Sequence, residues 1–204
     1  MSDYVIGLTG GIACGKSNLS RALKAAGAPV LDADEISRAL TAPGGPALPM
    51  IREAFGDAVF DGECLNRRIL ADVVYSDENK RQILNGIIHP MVFAAIRRGI
   101  DAEKGPVVLD VPLLYECEMD AWCDEIWCAY VPQKEQVRRI RKRDQVTCRQ
   151  AMQRIRAQMP ALAKARHADH VIRTDGSKEM SASIVLSLWA QALARAKQHE
   201  GEPN

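Results

Sequence analysis

Between an apolar run, Val5-Ile6-Gly7-Leu8-Thr9, and a segment of helical spacing from Asn18 to Ala26, the chain carries Gly10-Gly11-Ile12-Ala13-Cys14-Gly15-Lys16-Ser17. This stretch meets every fixed position of the G-x-x-x-x-G-K-[ST] pattern, and its flanks supply the required order of strand, turn and helix, the helix stopping at Gly27. A bend of this kind turns several backbone N–H groups onto one anion. That needs glycine where a Cβ would clash or φ must be positive, and Gly10, Gly11 and Gly15 provide it. The helix start adds unpaired N–H groups and its dipole. Lys16 can reach outer phosphates, and the Ser17 hydroxyl can sit on Mg²⁺. The stretch from Gly10 to Asn18 therefore reads as the cradle of a nucleoside triphosphate, with ATP and Mg²⁺ as the implied ligands.

Four further strand signals follow: Pro29-Val30-Leu31, Val107-Val108-Leu109-Asp110, Glu125 to Val131, and His170 to Thr174. In a doubly wound sheet, ligands bind beyond the carboxyl ends of the strands, which is where Asp32-Ala33-Asp34 and Asp110 fall. One acid can hold metal-bound water while another orients a hydroxyl toward the γ-phosphate. Asp32 and Asp110 stand as rivals for the metal. The alternative for the first pair is that one of them caps the helix starting near Glu35.

At 204 residues the chain suits one α/β core with an insertion and a lid. The core takes 1–41, 105–133 and 167–204. An all-helical insertion takes 42–104: Pro43-Gly44-Gly45-Pro46 breaks the chain, Arg52 to Gly56 closes a helix, and Ile69 to Ile88 keeps helical spacing as far as a His89-Pro90 turn. His89 reads as structural or substrate-side, because phosphoryl transfer to an alcohol leaves little for a strong base to do.

The formal charge of +1 conceals a basic segment. Residues 134–166 hold eleven Lys or Arg against Glu135 and Asp144, a net +9 that leaves the rest of the chain at −8. An anionic partner is implied. Arg139 and Arg143 lie four apart on one helix face, Thr147-Cys148-Arg149-Gln150 has the form of a capping box, and Arg154 follows on the next helix. This pair of helices reads as a lid closing over the triphosphate, with Arg143 foremost, then Arg139 and Arg154, meeting the charge on the transferred group. A nucleic-acid role is disfavoured, since no aromatic residues interleave with the basic ones.

No apolar run approaches the ~20 residues of a membrane span, and no signal-like segment opens the chain, so a cytoplasmic protein is expected. Six cysteines without C-x-x-C spacing read as reduced thiols. Cys14, near a helix N-terminus that favours its thiolate, is either a tolerated small residue or a redox-sensitive one. The closing helix should run from Lys178 to about Gln198, before a polar tail over 200–204.

These residues resemble the dephospho-CoA kinase family. The likeness is carried by Leu8-Thr9-Gly10-Gly11-Ile12 with Gly15-Lys16-Ser17, Asp32-Ala33-Asp34, Leu65-Asn66-Arg67-Arg68, Ile88-His89-Pro90 and Pro112-Leu113-Leu114-Tyr115-Glu116. Toward the C-terminus it continues through Arg139, Arg143-Asp144, Val146-Thr147, Arg154-Ile155 with Gln158, and Ala168-Asp169. The resemblance implies an α/β P-loop NTPase three-layer fold with a five-stranded parallel sheet, a helical substrate-binding insertion and a helical lid. It implies ATP-dependent phosphorylation of the ribose 3′-hydroxyl of 3′-dephospho-CoA, with Asp34 orienting or deprotonating that hydroxyl. It also places His89, Leu113 and Glu116 near the substrate and makes Arg67 a candidate for the substrate's phosphate groups, an ordinary surface arginine being the alternative. Asp175 stands where an asparagine is common, which puts an adenine contact there in question. The partner is a small molecule, and the protein is expected to be a monomer or weak homo-oligomer.

Overall fold

The computed structural model describes residues 4–199; the polar tail 200–204 lies outside them. In chain order the elements are β1 (Val5–Gly10), α1 (Lys16–Ala25), β2 (Val30–Asp32), α2 (Ala33–Leu40), α3 (Leu48–Phe55), β3 (Phe60–Asp61), β4 (Cys64–Leu65), α4 (Arg67–Ser76) and α5 (Glu78–Ala102). There follow β5 (Val107–Asp110), β6 (Glu125–Tyr130), α6 (Gln133–Asp144), α7 (Cys148–Arg156), α8 (Ala161–His167), β7 (His170–Arg173) and α9 (Lys178–His199). The chain divides into two compact units, one formed by 1–31 with 100–204 and the other by 32–99.

The first unit is built on a five-stranded parallel sheet of order β2-β5-β1-β6-β7. β1 is buried at every position because it is central and covered on both faces, as its unbroken apolar run requires. Its register sets Leu8 beside Asp110 of β5 and Trp127 of β6, and Gly10 beside Ala129. The strand's end and the loop after it are thereby fixed against two neighbours. Ile6 and Leu8 meet Leu19 and Leu23 of α1, Trp127 and Ala129 of β6, Ile172 of β7, and Val185, Trp189 and Ala192 of α9 in one core. Burying such side chains contributes roughly 1.5–3 kcal/mol each before entropy is charged against it.

The α6–α7 pair has its own small core of Ile140, Ala151 and Ile155. Gln145, in the left-handed region at φ 52°, ends α6, and a capping box between Thr147 and Gln150 opens α7, as their spacing predicts.

The second unit corrects two expectations. It is not all-helical, since β3 and β4 form a two-residue antiparallel hairpin around Gly62, whose φ is 60°. Phe60 at its start is buried, with the Arg52 guanidinium 4.1 Å from the ring centroid. Nor does the helix stop at His89-Pro90, for α5 runs through Pro90. Proline in a helix interior loses one i→i−4 bond and crowds the carbonyl four residues back. Here that residue is Gly86. Apolar spacing on both sides then outweighs a local penalty of ~3 kcal/mol. The unit spans 32–99 and so includes α2 with α3 and α4.

Candidate active site

The loop between β1 and α1 has the backbone the pattern demands. Gly10 passes so near β6 that a Cβ would lie 2.7 Å from the Ala129 carbonyl oxygen, and Gly15 is left-handed at φ 83° with Thr174 Oγ1 2.9 Å from a Cβ built there. Neither position accepts a side chain without displacing its neighbour. Ala13 is also left-handed, at φ 60°. A non-glycine residue held there costs of order 1 kcal/mol or more, and persists only where the surroundings enforce it.

Those surroundings are visible. Gln136 Nε2 donates to the Ile12 carbonyl at 2.8 Å, Arg139 Nη1 to the Ala13 carbonyl at 3.3 Å, and Thr174 Oγ1 to the Cys14 carbonyl at 2.6 Å. Inside the loop, Cys14 N–H donates to the Gly11 carbonyl at 3.0 Å. Among the described residues, the N–H groups of Ala13, Gly15, Lys16 and Ser17 donate to no protein carbonyl. These groups are open to an anion. Lys16 Nζ donates to Asp110 Oδ1, the buried carboxylate that ends β5. Ser17, in the first turn of α1, is exposed, and the Asn18 amide reaches the Lys178 carbonyl at 3.1 Å and Ser181 Oγ at 3.3 Å. Asn18 thus ties α1 to the start of α9.

On α6, Glu135 holds two arginines. Hydrogen bonds from Arg138 and then Arg139 keep its carboxyl well down, at about 2. Arg139 spreads its guanidinium over Glu135, Ala13 and Thr174. Arg143 makes two bonds to Asp144, at 2.7 and 3.0 Å, and Arg154 of α7 donates to the same carboxylate. Asp144 therefore gathers Arg143 and Arg154, whose side chains are 60 % and 45 % exposed, so neither is locked away from a ligand.

After β5 the chain turns through Pro112 to Glu116. Leu113 is exposed, while Glu116 accepts from the Met159 N–H and from the fully buried Lys164 of α8, both at 2.9 Å. Lys164 Nζ also donates to the Pro112 carbonyl at 2.6 Å. Cys14 requires a correction. Burial pushes its thiol up, outweighing its backbone hydrogen bonds and the nearby cations, so the helix N-terminus does not favour the thiolate there. The reading as a small residue filling the core is the one that fits. Asp175 pairs with Arg173, at 2.5 Å.

In the second unit Asp32 accepts from the Glu35 N–H at 3.0 Å and caps α2, with Asp34 exposed in the first turn. Arg67, first residue of α4 after the Asn66 cap, donates Nη2 to the carbonyls of Arg38 and Thr41 at 3.1 and 3.2 Å. It lines a cavity of about 230 Å³ with Ser37, Thr41, Leu70, Val74 and Ile88. His89 lies against Phe93, ring centroids 5.9 Å apart. Sequence reasoning missed the roles of Gln136, Thr174 and Lys164. Their partners are main-chain atoms or residues distant in sequence, and no local pattern announces such contacts.

A parallel sheet with this loop after its first central strand, a lysine and serine at the helix start, and a basic helical pair defines a P-loop kinase of small molecules. The dephospho-CoA kinase family model matches residues 4–179. The chain belongs to the dephospho-CoA kinase family. A dephospho-CoA kinase of Shouchella clausii is 44% identical over 179 residues, covering 85% of this chain and 91% of that one. A crystal structure of a Thermus thermophilus protein superposes with TM-score 0.79 at 30% identity, covering 94% of this chain and 98% of that one. The dephospho-CoA kinase of Campylobacter jejuni shares the fold, with TM-score 0.66, 20% identity, and 95% and 98% coverage.

Proposed function

We infer that this chain transfers the γ-phosphoryl group of ATP to the ribose 3′-hydroxyl of 3′-dephospho-CoA, giving CoA and ADP, the last step of coenzyme A biosynthesis. Family membership across residues 4–179, with every position of the phosphate loop intact, carries the reading.

The loop N–H groups and Lys16 bind the triphosphate, with Lys16 leaving Asp110 for the phosphates as the nucleotide enters. Oxygen donors suit magnesium, and those beside the loop are the Ser17 hydroxyl and Asp110 once Lys16 has moved. With Asp32 serving as a helix cap, Asp110 is the better of the two rivals. When bound, Mg²⁺ neutralises charge on the β- and γ-phosphates. Asp34 accepts the proton of the ribose hydroxyl or aims its lone pair along the line of transfer. Arg143, with Arg139 and Arg154, meets the negative charge spread over the transferred oxygens, and the cover that α6 and α7 give the site excludes water.

The acceptor is received by the second unit, where Arg67 takes its phosphate groups and the apolar cavity beside Arg67 takes part of its uncharged remainder. Among the described residues no helix is long and apolar enough to cross a membrane. A cytoplasmic monomer or weak homo-oligomer acting on a small molecule, without nucleic acid, completes the proposal. A coupled ADP-release assay across dephospho-CoA, adenosine, nucleoside monophosphates and pantetheine derivatives tests it. Turnover only with dephospho-CoA is expected, and preference for any other alcohol would overturn the assignment.

A further inference from the structure

The phosphate loop is steered from outside by side chains that no motif includes. A peptide unit is planar and trans, so the carbonyl of one residue and the N–H of the next point in opposite directions. Fixing one fixes the other. Gln136, only 2 % exposed, holds the Ile12 carbonyl, and the N–H across that peptide belongs to Ala13. Thr174, 8 % exposed, holds the Cys14 carbonyl, and the N–H across that peptide belongs to Gly15. These are two of the N–H groups that donate to no protein carbonyl among the described residues. The peptide between them is pinned differently, with its Cys14 N–H committed to the Gly11 carbonyl.

We propose that Gln136 and Thr174 are positioning residues of the nucleotide site: by holding the carbonyls of Ile12 and Cys14 outward, they aim the N–H groups of Ala13 and Gly15 at the phosphates. Three observations support this beyond the distances. Both donors are buried polar groups, so a hydrogen bond made here is protected from competition by water. Ala13 and Gly15 are left-handed, a conformation in which a released peptide has a nearby alternative to flip into. Thr174 Oγ1 also accepts from Arg139 Nη1 at 3.2 Å, so its hydroxyl proton is directed at the Cys14 carbonyl rather than elsewhere. Because Gln136 and Arg139 sit on the helix that carries Arg143, the cradle and the lid share one rigid support.

The inference rests on the reading of the loop as an ATP site, and its test separates the two. Gln136→Met and Thr174→Val keep volume and remove the donor, while Thr174→Ser keeps the hydroxyl. Affinity for ADP with magnesium is measured by calorimetry, and KM for ATP and for dephospho-CoA by steady-state kinetics, with thermal unfolding recorded for each protein. Each donor-removing variant should weaken ADP binding and raise KM for ATP about tenfold, leave KM for dephospho-CoA within about twofold, and Thr174→Ser should restore wild-type values. A purely structural role would lower the melting temperature and the active fraction while leaving KM for ATP unchanged, and that result overturns the proposal. So would ADP affinity within about twofold of wild type in both variants. Should Thr174→Val fail to fold, Gln136→Met and Thr174→Ala carry the same comparison. Wild-type protein that binds ADP yet leaves dephospho-CoA unphosphorylated would refute the assigned reaction while the ADP affinities still decided this point.

Discussion

Replacing Lys164 by methionine gives a prediction whose size can be worked out atom by atom. The ammonium is fully buried and has two partners, the Pro112 carbonyl at 2.6 Å and Glu116 Oε2 at 2.9 Å. Removing one member of a buried ion pair costs about 3–5 kcal/mol, because the other charge stays without its partner. Two features reduce that figure here. Glu116 is 26 % exposed and keeps the Met159 N–H, and the Pro112 carbonyl keeps the Thr9 hydroxyl at 3.2 Å. Methionine also fills most of the volume of the aliphatic stem. The expected loss is therefore near the lower bound, about 3 kcal/mol. For a chain of this length each kcal/mol moves the melting temperature by roughly 2–4 °C, so Lys164→Met should melt about 6–12 °C below wild type. Circular dichroism at pH 7 measures it, and Glu116→Gln made in both backgrounds closes a double-mutant cycle. If the pair is the source, Glu116→Gln costs far less in the methionine background than in wild type. A melting temperature within about 2 °C of wild type, or equal cost in both backgrounds, would refute the reasoning. Kinetics on Glu116→Gln then distinguish a residue that touches the acceptor, which would raise KM for dephospho-CoA, from one that only fastens α8.

Arg143→Ala should lower kcat about a hundredfold or more while KM for ATP stays within about threefold, since the proposed contact to the transferred oxygens would be strongest in the transition state; unchanged turnover removes Arg143 from the mechanism. Asp34→Asn should cut kcat between about a hundredfold and ten-thousandfold with ADP affinity preserved, as read by single-turnover phosphorylation of dephospho-CoA, and near-normal single-turnover rates would dismiss Asp34 as the acid. At the opposite end of the sheet, buried Glu125 accepts from Tyr4 Oη, Trp127 Nε1 and Arg195, at 2.5, 2.8 and 2.5 Å, with His170 Nε2 2.7 Å away. Burial raises its pKa, but the bonds from Tyr4 and Trp127 and the charges of Arg195 and His170 outweigh that and bring it below 4.5. Its stabilising contribution is thus fully present above pH 4.5 and fades as pH falls through the lowered native value. Glu125→Gln should melt several degrees lower at pH 7 and converge on wild type in acid; a gap that stays constant from pH 7 to pH 3 would contradict this account.

The loop from Gly10 to Ser17, all five core strands, the capping box at Thr147 and the helical pair around Arg139 and Arg154 were readable from the chain, because each rests on near-neighbour rules. Periodicity reports burial, glycine reports φ, and spacing along a helix reports shared faces. The same rules misplaced the end of α5. They scored Pro90 as a stop, whereas burial of Ile87 before it and of Val92 and Ile96 after it outweighs the single lost bond. They also left the hairpin at 60–65 unseen, since two residues per strand are too few for any alternation to register.

Sequence alone determined that a triphosphate-binding turn joins a central buried strand to a helix, and through its family likeness it supplied the acceptor. Tertiary structure decided which groups surround that turn. Gln136, Thr174 and Lys164 gain their partners only when segments 48 to 160 residues apart are brought together. It likewise assigned Asp32 to a helix cap and Asp110 to Lys16, a choice that depends on which donor each carboxylate meets. Local chemistry writes the conformations a segment can adopt, but the partner of a buried polar atom is set by distant chain that must satisfy it without water.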